Sequence, residues 1–305
     1  MTATEQTRTD LDAQVRRDQR RRLRSRMAGS PAFGVGATVF LVVSLAALLG
    51  PVLLGTDPLA VTPRLRLKPP SAEFLFGTDS FGRDVLIRTL VGGRVSLIVG
   101  GGVALLATVL GLIAGLYSAF NSWVDRIVMR LADGLMAFPA ILLAIGLAAA
   151  MGGSIPTLIG ALTVVYTPRV ARVARSAALS VKSQPYVEAL VAQGAGLTRI
   201  LWVNAFPNVL PAVLIQASFV FADSLLVEAA LSFIGLGVPA PEPSWGNMLL
   251  EGKAVIHQAW WMIVFPGAAI LLLVLSINLL GDGLRDVLDP TYLGKRRLTR
   301  KAAAR

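Results

Sequence analysis

Few side chains in this chain are equipped for catalysis. It has one histidine, His257, and no cysteine, so disulfides, thiolate metal sites and cysteine nucleophiles are excluded. His257 has no second histidine or thiol with which to share a metal, and it reads as a surface or interface group. No Gly-x-x-x-x-Gly-Lys-[Ser/Thr] run occurs, and the Gly252-Lys253 and Gly294-Lys295 pairs lack its surroundings. The chain thus carries no recognisable phosphate cradle, and any ATP-driven work must fall to another polypeptide. Two acids, Asp223 and Glu228, lie within a long apolar stretch, where an ionisable group is a functional candidate by default. They suit either a proton or sodium site or a polar lining and helix contact. Glu228 stands close to the loop that follows, and neither acid has an evident basic partner within a span. Both points favour the second role. Arg169, Arg172 and Arg175 recur every three residues, a pattern suited to snorkelling towards lipid headgroups.

The interval between residues 169 and 207 is the other concentration of signals. Pro185-Tyr186-Val187-Glu188-Ala189-Leu190-Val191-Ala192-Gln193-Gly194-Ala195-Gly196 has the composition of a short helix. Pro185 suits its first turn, and the Gly194 and Gly196 pair ends or bends it. A second helical stretch is predicted over residues 197–206, and Pro207 then opens the next apolar stretch. Helices this short are marginal alone in water. Tyr186, Val187, Leu190 and Val191 therefore need a surface, either a protein groove that receives a helix or the face of a membrane.

The elements that must hold these residues are membrane spans. Of the 305 residues 54% are hydrophobic and only 15% charged, against about one quarter charged in soluble domains. Residues 31–56, 95–124 and 134–168 contain no charged side chain. The first alone would form a helix of about 39 Å, enough to cross a core of about 30 Å. The third is too long for one crossing and is divided by Met151-Gly152-Gly153-Ser154-Ile155-Pro156. With residues 208–235 and 254–281 the predicted total is six spanning helices in an all-α protein. The first is read as a retained helix rather than a cleaved signal, because its basic lead is long and no small-x-small site clearly follows. The third span contains Phe138-Pro139, which should kink it.

Charge placement sets the expected topology. With a cytoplasmic amino terminus and six crossings, both ends lie inside, and 22 of the 29 lysines and arginines fall on the inner side. That follows the positive-inside rule, so anionic headgroups rather than nucleic acid account for much of the net charge of +11. The expected organisation is a basic cytoplasmic tail over 1–30, helical between 12 and 27, then the first span and an external loop over 31–93. A core of spans follows over 94–283, with a cytoplasmic interval at about 176–206, and a basic tail over 284–305.

Residues 56–93 hold Pro58, Pro63, Pro69 and Pro70, too many for a continuous helix. There Phe76-Gly77-Thr78-Asp79-Ser80-Phe81-Gly82-Arg83-Asp84 reads as an ordered loop capping the bundle, in preference to a substrate contact. Arg83 and Asp84 are expected to pair with neighbours. Gly111 and Gly115 permit close helix approach, and residues 121–130 read as a short turn. Trp245, Trp260 and Trp261 suit an interfacial belt.

Taken together, these segments resemble the permeases of ATP-binding-cassette importers. Glu188, Ala189, Gly194 and Pro207 match the Glu-Ala-Ala…Gly loop of that class, with Leu190 in place of the second alanine. Asn204 and Phe206 stand where isoleucine and leucine are usual. Gly77-Thr78-Asp79 with Gly82-Arg83-Asp84, Phe138-Pro139, residues 231–237 running on to Pro243-Ser244-Trp245-Gly246, and Gly281-Asp282-Gly283-Leu284-Arg285-Asp286 with Asp289-Pro290 are similar to the six-span subunit of the dipeptide, oligopeptide and nickel importers. The resemblance spans residues 31–291. It implies a type I importer permease fold, not itself an enzyme, in a prokaryotic inner membrane. It also implies a heterodimer with a related permease, two ATPase subunits that bind ATP and magnesium, and an external substrate-binding protein. Tyr186, Val187, Glu188, Ala189, Leu190, Gly194 and Ala195 would form the helix that couples to an ATPase. An ion-coupled carrier acting through Asp223 and Glu228, and a membrane scaffold, are the alternatives from other classes.

Overall fold

The computed structural model describes residues 31–55 and 57–288. The predicted basic tail over 1–30, with its helix, and the Asp289-Pro290 pair lie outside the described residues. The elements are α1 (Pro31–Leu54), α2 (Val85–Phe120), α3 (Ser122–Met136), α4 (Ala140–Met151), α5 (Ile155–Lys182), α6 (Pro185–Ala192), α7 (Phe206–Phe233), α8 (Trp245–Lys253) and α9 (Trp261–Leu288). No strand occurs among the described residues, only an isolated bridge between Thr78 and Asp84. The chain is a polytopic, all-helical membrane protein.

Local chemistry fixes several helix ends. The Asp84 carboxylate accepts from the backbone N–H groups of Leu86 and Ile87 at the start of α2, and Asn121 does the same for Trp123 and Val124 at the start of α3. Ser154 and Thr157 form a reciprocal capping box on α5. Each arrangement satisfies backbone donors that a helix start leaves without partners.

Among the described residues four helices are long and apolar enough to cross a membrane: Pro31–Leu54, Val85–Phe120, Leu197–Phe233 and Trp261–Asp286. A fifth is reached if α3 and α4 count as one broken span. The expected third crossing is therefore not a kinked helix. At Ala137-Phe138-Pro139 the chain turns by 94°, and α4, about 18 Å long, is shorter than a hydrocarbon core. The expected turn over residues 121–130 is instead the first part of α3. In α5, three arginines and several threonines dilute the apolar character of the expected fourth crossing.

The central post is α2, about 54 Å long, which packs against α5, α7 and α1, while α9 lies against α1 and α7. A Cβ on Gly111 would stand 2.5 Å from Val170 Cβ, and one on Gly115 would stand 2.5 Å from the Ala171 carbonyl oxygen. Those two glycines let α2 and α5 meet closely, as the small-residue pattern predicts. Two cores result. One joins Val99, Val103, Leu116, Leu162, Tyr166, Val170, Leu201 and Val209 between α2, α5, α7 and the turn that leads into α7. The other joins Val85, Leu225, Trp245, Trp261 and Ile277 around the start of α2.

Trp245 and Trp261 are buried members of that second core, donating from Nε1 to the carbonyls of Thr89 (2.8 Å) and Thr78 (3.0 Å). Of the three tryptophans expected in a headgroup belt, Trp260 alone has the exposure that role requires. α9 runs on to Leu288, past residue 283, where the core of spans was expected to end.

Candidate functional site

The sequence-predicted short helix exists as α6 and is finished by a Schellman cap. The Ala195 N–H donates to the Leu190 carbonyl and the Gly194 N–H to that of Val191, each at 3.0 Å. Gly194 has φ +77°, the left-handed conformation that glycine adopts without steric penalty. Val187 is the anchor, 2% exposed in the first core, and Leu190 is half-buried. Tyr186 and Val191 are 44% and 59% exposed, and Glu188 and Ala189 are exposed beside them. Glu188 forms no salt bridge among the described residues. The helix thus lies on its own chain by one edge and presents an apolar and acidic face outward. The stretch after it is not a separate helix. Leu197–Arg199 and a π-helical turn, Ile200–Ala205, run straight into α7, so the long helix starts ten residues before Pro207.

At the other end of α2 the Gly-Thr-Asp loop closes a buried charge cluster. Gly77 and Gly82 have φ of +73° and +76°. A Cβ on Gly82 would stand 2.0 Å from the Thr62 carbonyl oxygen, so the turn admits no other residue unchanged. The hydroxyl of Thr78 donates to the Leu65 carbonyl and accepts from the Lys68 N–H at 2.8 Å. Asp79 accepts from the N–H groups of Phe81 and Arg83 on one oxygen and, at 2.6 Å, from Arg83 Nε on the other. Arg88 also bonds that second oxygen. Glu251, from α8, completes the group by accepting from Arg83 at 3.0 Å and from Arg88 at 2.6 and 3.0 Å. Two guanidinium groups face two carboxylates, so the cluster is neutral. Asp84, expected to pair, caps α2 instead; partial burial pushes its carboxyl above the ordinary range, against its hydrogen bonds to Leu86 and Ile87. Arg88 and Glu251 were missed because 163 residues separate them.

The two membrane-depth acids have different surroundings. Glu228 is fully buried and accepts from Ser96 (2.9 Å) and Ser232 (2.8 Å). Ser232 in turn accepts from the Val238 N–H. Gly237 and Gly246 pack directly on Ser232, which explains the glycines of that loop. Asp223, expected to lack a basic partner, accepts from Arg169 Nη1 at 2.9 Å. The other two arginines also have acidic partners. Arg172 donates to Asp133, and Arg175 grips Asp125 with two nitrogens. A three-residue interval winds around α5, which sends Arg169 to α7 and the other two to α3.

In the final motif, Gly281 and Gly283 are contact points, where a Cβ would stand 2.4 Å from Ser218 Oγ and 2.6 Å from Phe33 Cβ. Asp282 and Arg285 are exposed and Asp286 is half-buried.

Similarity to known proteins gives the class of this helical bundle, a membrane component of a transport system. Residues 107–293 match the model of the family described as "Binding-protein-dependent transport system inner membrane component", and the chain belongs to that family. It is 47% identical over 259 residues to a putative peptide transport system permease protein of Brucella suis, covering 85% of this chain and 88% of the relative. It is 41% identical to the dipeptide transport system permease protein of Alkalihalophilus pseudofirmus, with 84% of each chain covered. To a probable D,D-dipeptide transport system permease protein of Escherichia coli it is 38% identical, over 88% of this chain and 91% of that one.

Proposed function

We propose that this chain is the permease subunit of an ATP-binding-cassette importer and forms half of a peptide pathway across a bacterial inner membrane. The observation that carries this reading is α6. Its C-terminal end is closed by a Schellman cap, Val187 alone is fully sunk into the chain, and Tyr186, Glu188, Ala189 and Val191 are turned outward. An exposed apolar face around one carboxylate suits insertion into a groove on another protein. The family match and the peptide permeases named above support the same reading.

In this proposal α6 lies on the cytoplasmic side and both termini are cytoplasmic. The third of six crossings is the broken α3–α4 pair and the fourth is α5. The first span and its external loop give way to the core of spans at Val85 rather than at residue 94, and that core runs to Leu288 rather than to 283, between two basic tails. A related permease completes the pathway, two ATPase subunits bind ATP and magnesium, and an external receptor delivers substrate. ATP-driven movement of α6 would rock two packed halves between inward- and outward-open states. An ion-coupled carrier is less well supported, because Asp223 already holds a guanidinium and Glu228 is enclosed by serines.

The test is ATP-dependent uptake of a labelled peptide by the complex of permeases, ATPases and receptor in proteoliposomes. Glu188→Lys should weaken capture of the ATPase about tenfold, or 1.4 kcal/mol, while the permease still inserts and folds. Uptake that needs an ion gradient but no ATP, or wild-type ATPase capture by Glu188→Lys, would overturn the proposal.

A further inference from the structure

The Arg169–Asp223 pair lies deep in the bundle yet is open. Asp223 is about 15 Å along α7 from its Phe233 end, and Arg169 is near the middle of α5, about 20 Å from each end. Their side chains are nevertheless 42% and 46% exposed. Only one of the three guanidinium nitrogens and one carboxylate oxygen are used between them, and among the described residues the remainder make no hydrogen bond. Tyr166 lies under the guanidinium, 5.6 Å from its ring centre, and limits how Arg169 can turn. Gln216, two turns before Asp223 on the same face of α7, is partly exposed and makes no side-chain hydrogen bond among the described residues.

Hydrocarbon cannot cover such a surface. An ion pair with unused donors and acceptors at membrane depth must face water or a polar ligand. A free peptide carries an ammonium and a carboxylate, the complements of Asp223 and Arg169. Arginine's planar fork is suited to a carboxylate, and the nitrogens that Asp223 leaves unused remain available for it. From this geometry we infer that Arg169 and Asp223, with Gln216 beside them, form a substrate-contact station in the translocation pathway for the charged termini of peptides. It rests on the function proposed above. Glu228 has no such role, since its serine shell leaves it no access.

The natural absence of cysteine makes the test direct. In the assembled complex, Asp223→Cys or Gln216→Cys is exposed to a charged, membrane-impermeant methanethiosulfonate with and without saturating dipeptide. Reaction slowed several-fold by dipeptide is the expected result. No reaction at either position, as burial under a neighbouring subunit would give, or a rate indifferent to dipeptide, overturns the inference. Uptake at low peptide concentration should also fall about tenfold in Arg169→Gln, through KM more than through maximal rate, as expected for loss of a charge-assisted contact. If wild-type complex imports peptide and these variants match it, the station is wrong and the importer stands. If wild-type complex imports no peptide, the broader proposal fails first.

Discussion

Charge is handled in opposite ways at the start of α2 and along the remainder of the bundle. Around its start, Asp79, Arg83, Arg88 and Glu251 are tied together by hydrogen bonds, and Asp79 and Arg88 are almost wholly enclosed. From the middle of α2 to beyond its other end, the chain sets charges in open pairs along α5, with Asp223, Asp133 and Asp125 as separate partners, and leaves α6 attached mainly by Val187. A buried neutral cluster tolerates no change of partner, because a charge left alone in a low dielectric is expensive. Half-exposed pairs exchange partners at little cost. The first region is built to stay still, and the second to meet other molecules.

The contrast is tested most severely at Arg88. Arg88→Ala should remove about 3–5 kcal/mol of stability by leaving the buried Asp79 and the half-buried Glu251 to share the single cation of Arg83, seen as a large fall in thermal midpoint and in folded yield from detergent. A small effect would mean that water already reaches the cluster. Gly194→Val should cost about 1–2 kcal/mol through its left-handed backbone, with Gly194→Asn clearly milder. Because a Cβ there meets nothing within 4 Å, equal losses for the two would point to a hidden steric contact rather than backbone strain. At the open pairs, Arg172→Ala should change stability by only about 0–1 kcal/mol, and the ratio of its loss to that of Arg88→Ala sharpens the comparison. The smallest effect is expected for Asp84→Asn, which keeps the cap acceptor. Since burial raises the Asp84 carboxyl, its contribution is full at low pH and declines as pH rises through that raised value. Asparagine removes this decline, so the thermal midpoints of variant and wild type should meet in acid, with the variant level or slightly higher at neutral pH.

Much of this was legible from residues alone. Uncharged stretches longer than a bilayer core require helices, because backbone groups in hydrocarbon must be paired internally. Pro185 and Gly194 delimit α6 because one suits the first turn and the other the left-handed position after the last. Close packing at Gly111 and Gly115 was equally readable, since only a missing Cβ lets helix backbones approach so nearly. These are consequences of neighbouring residues and of the solvent, and they need no knowledge of the fold.

The partners of the charges were decided elsewhere. Whether Arg169 reaches headgroups or Asp223 depends on where α5 and α7 cross, and the two, 54 positions apart in sequence, acquire a fixed separation only on folding. For the same reason Arg88 gave no sign of Glu251, Trp245 passed for an interfacial residue, and Phe138-Pro139 promised a kink where the chain makes a right-angled break. Periodicity and capping act over a few residues, within reach of sequence. Burial and ion pairing act across the bundle, and only the assembled helices determine them.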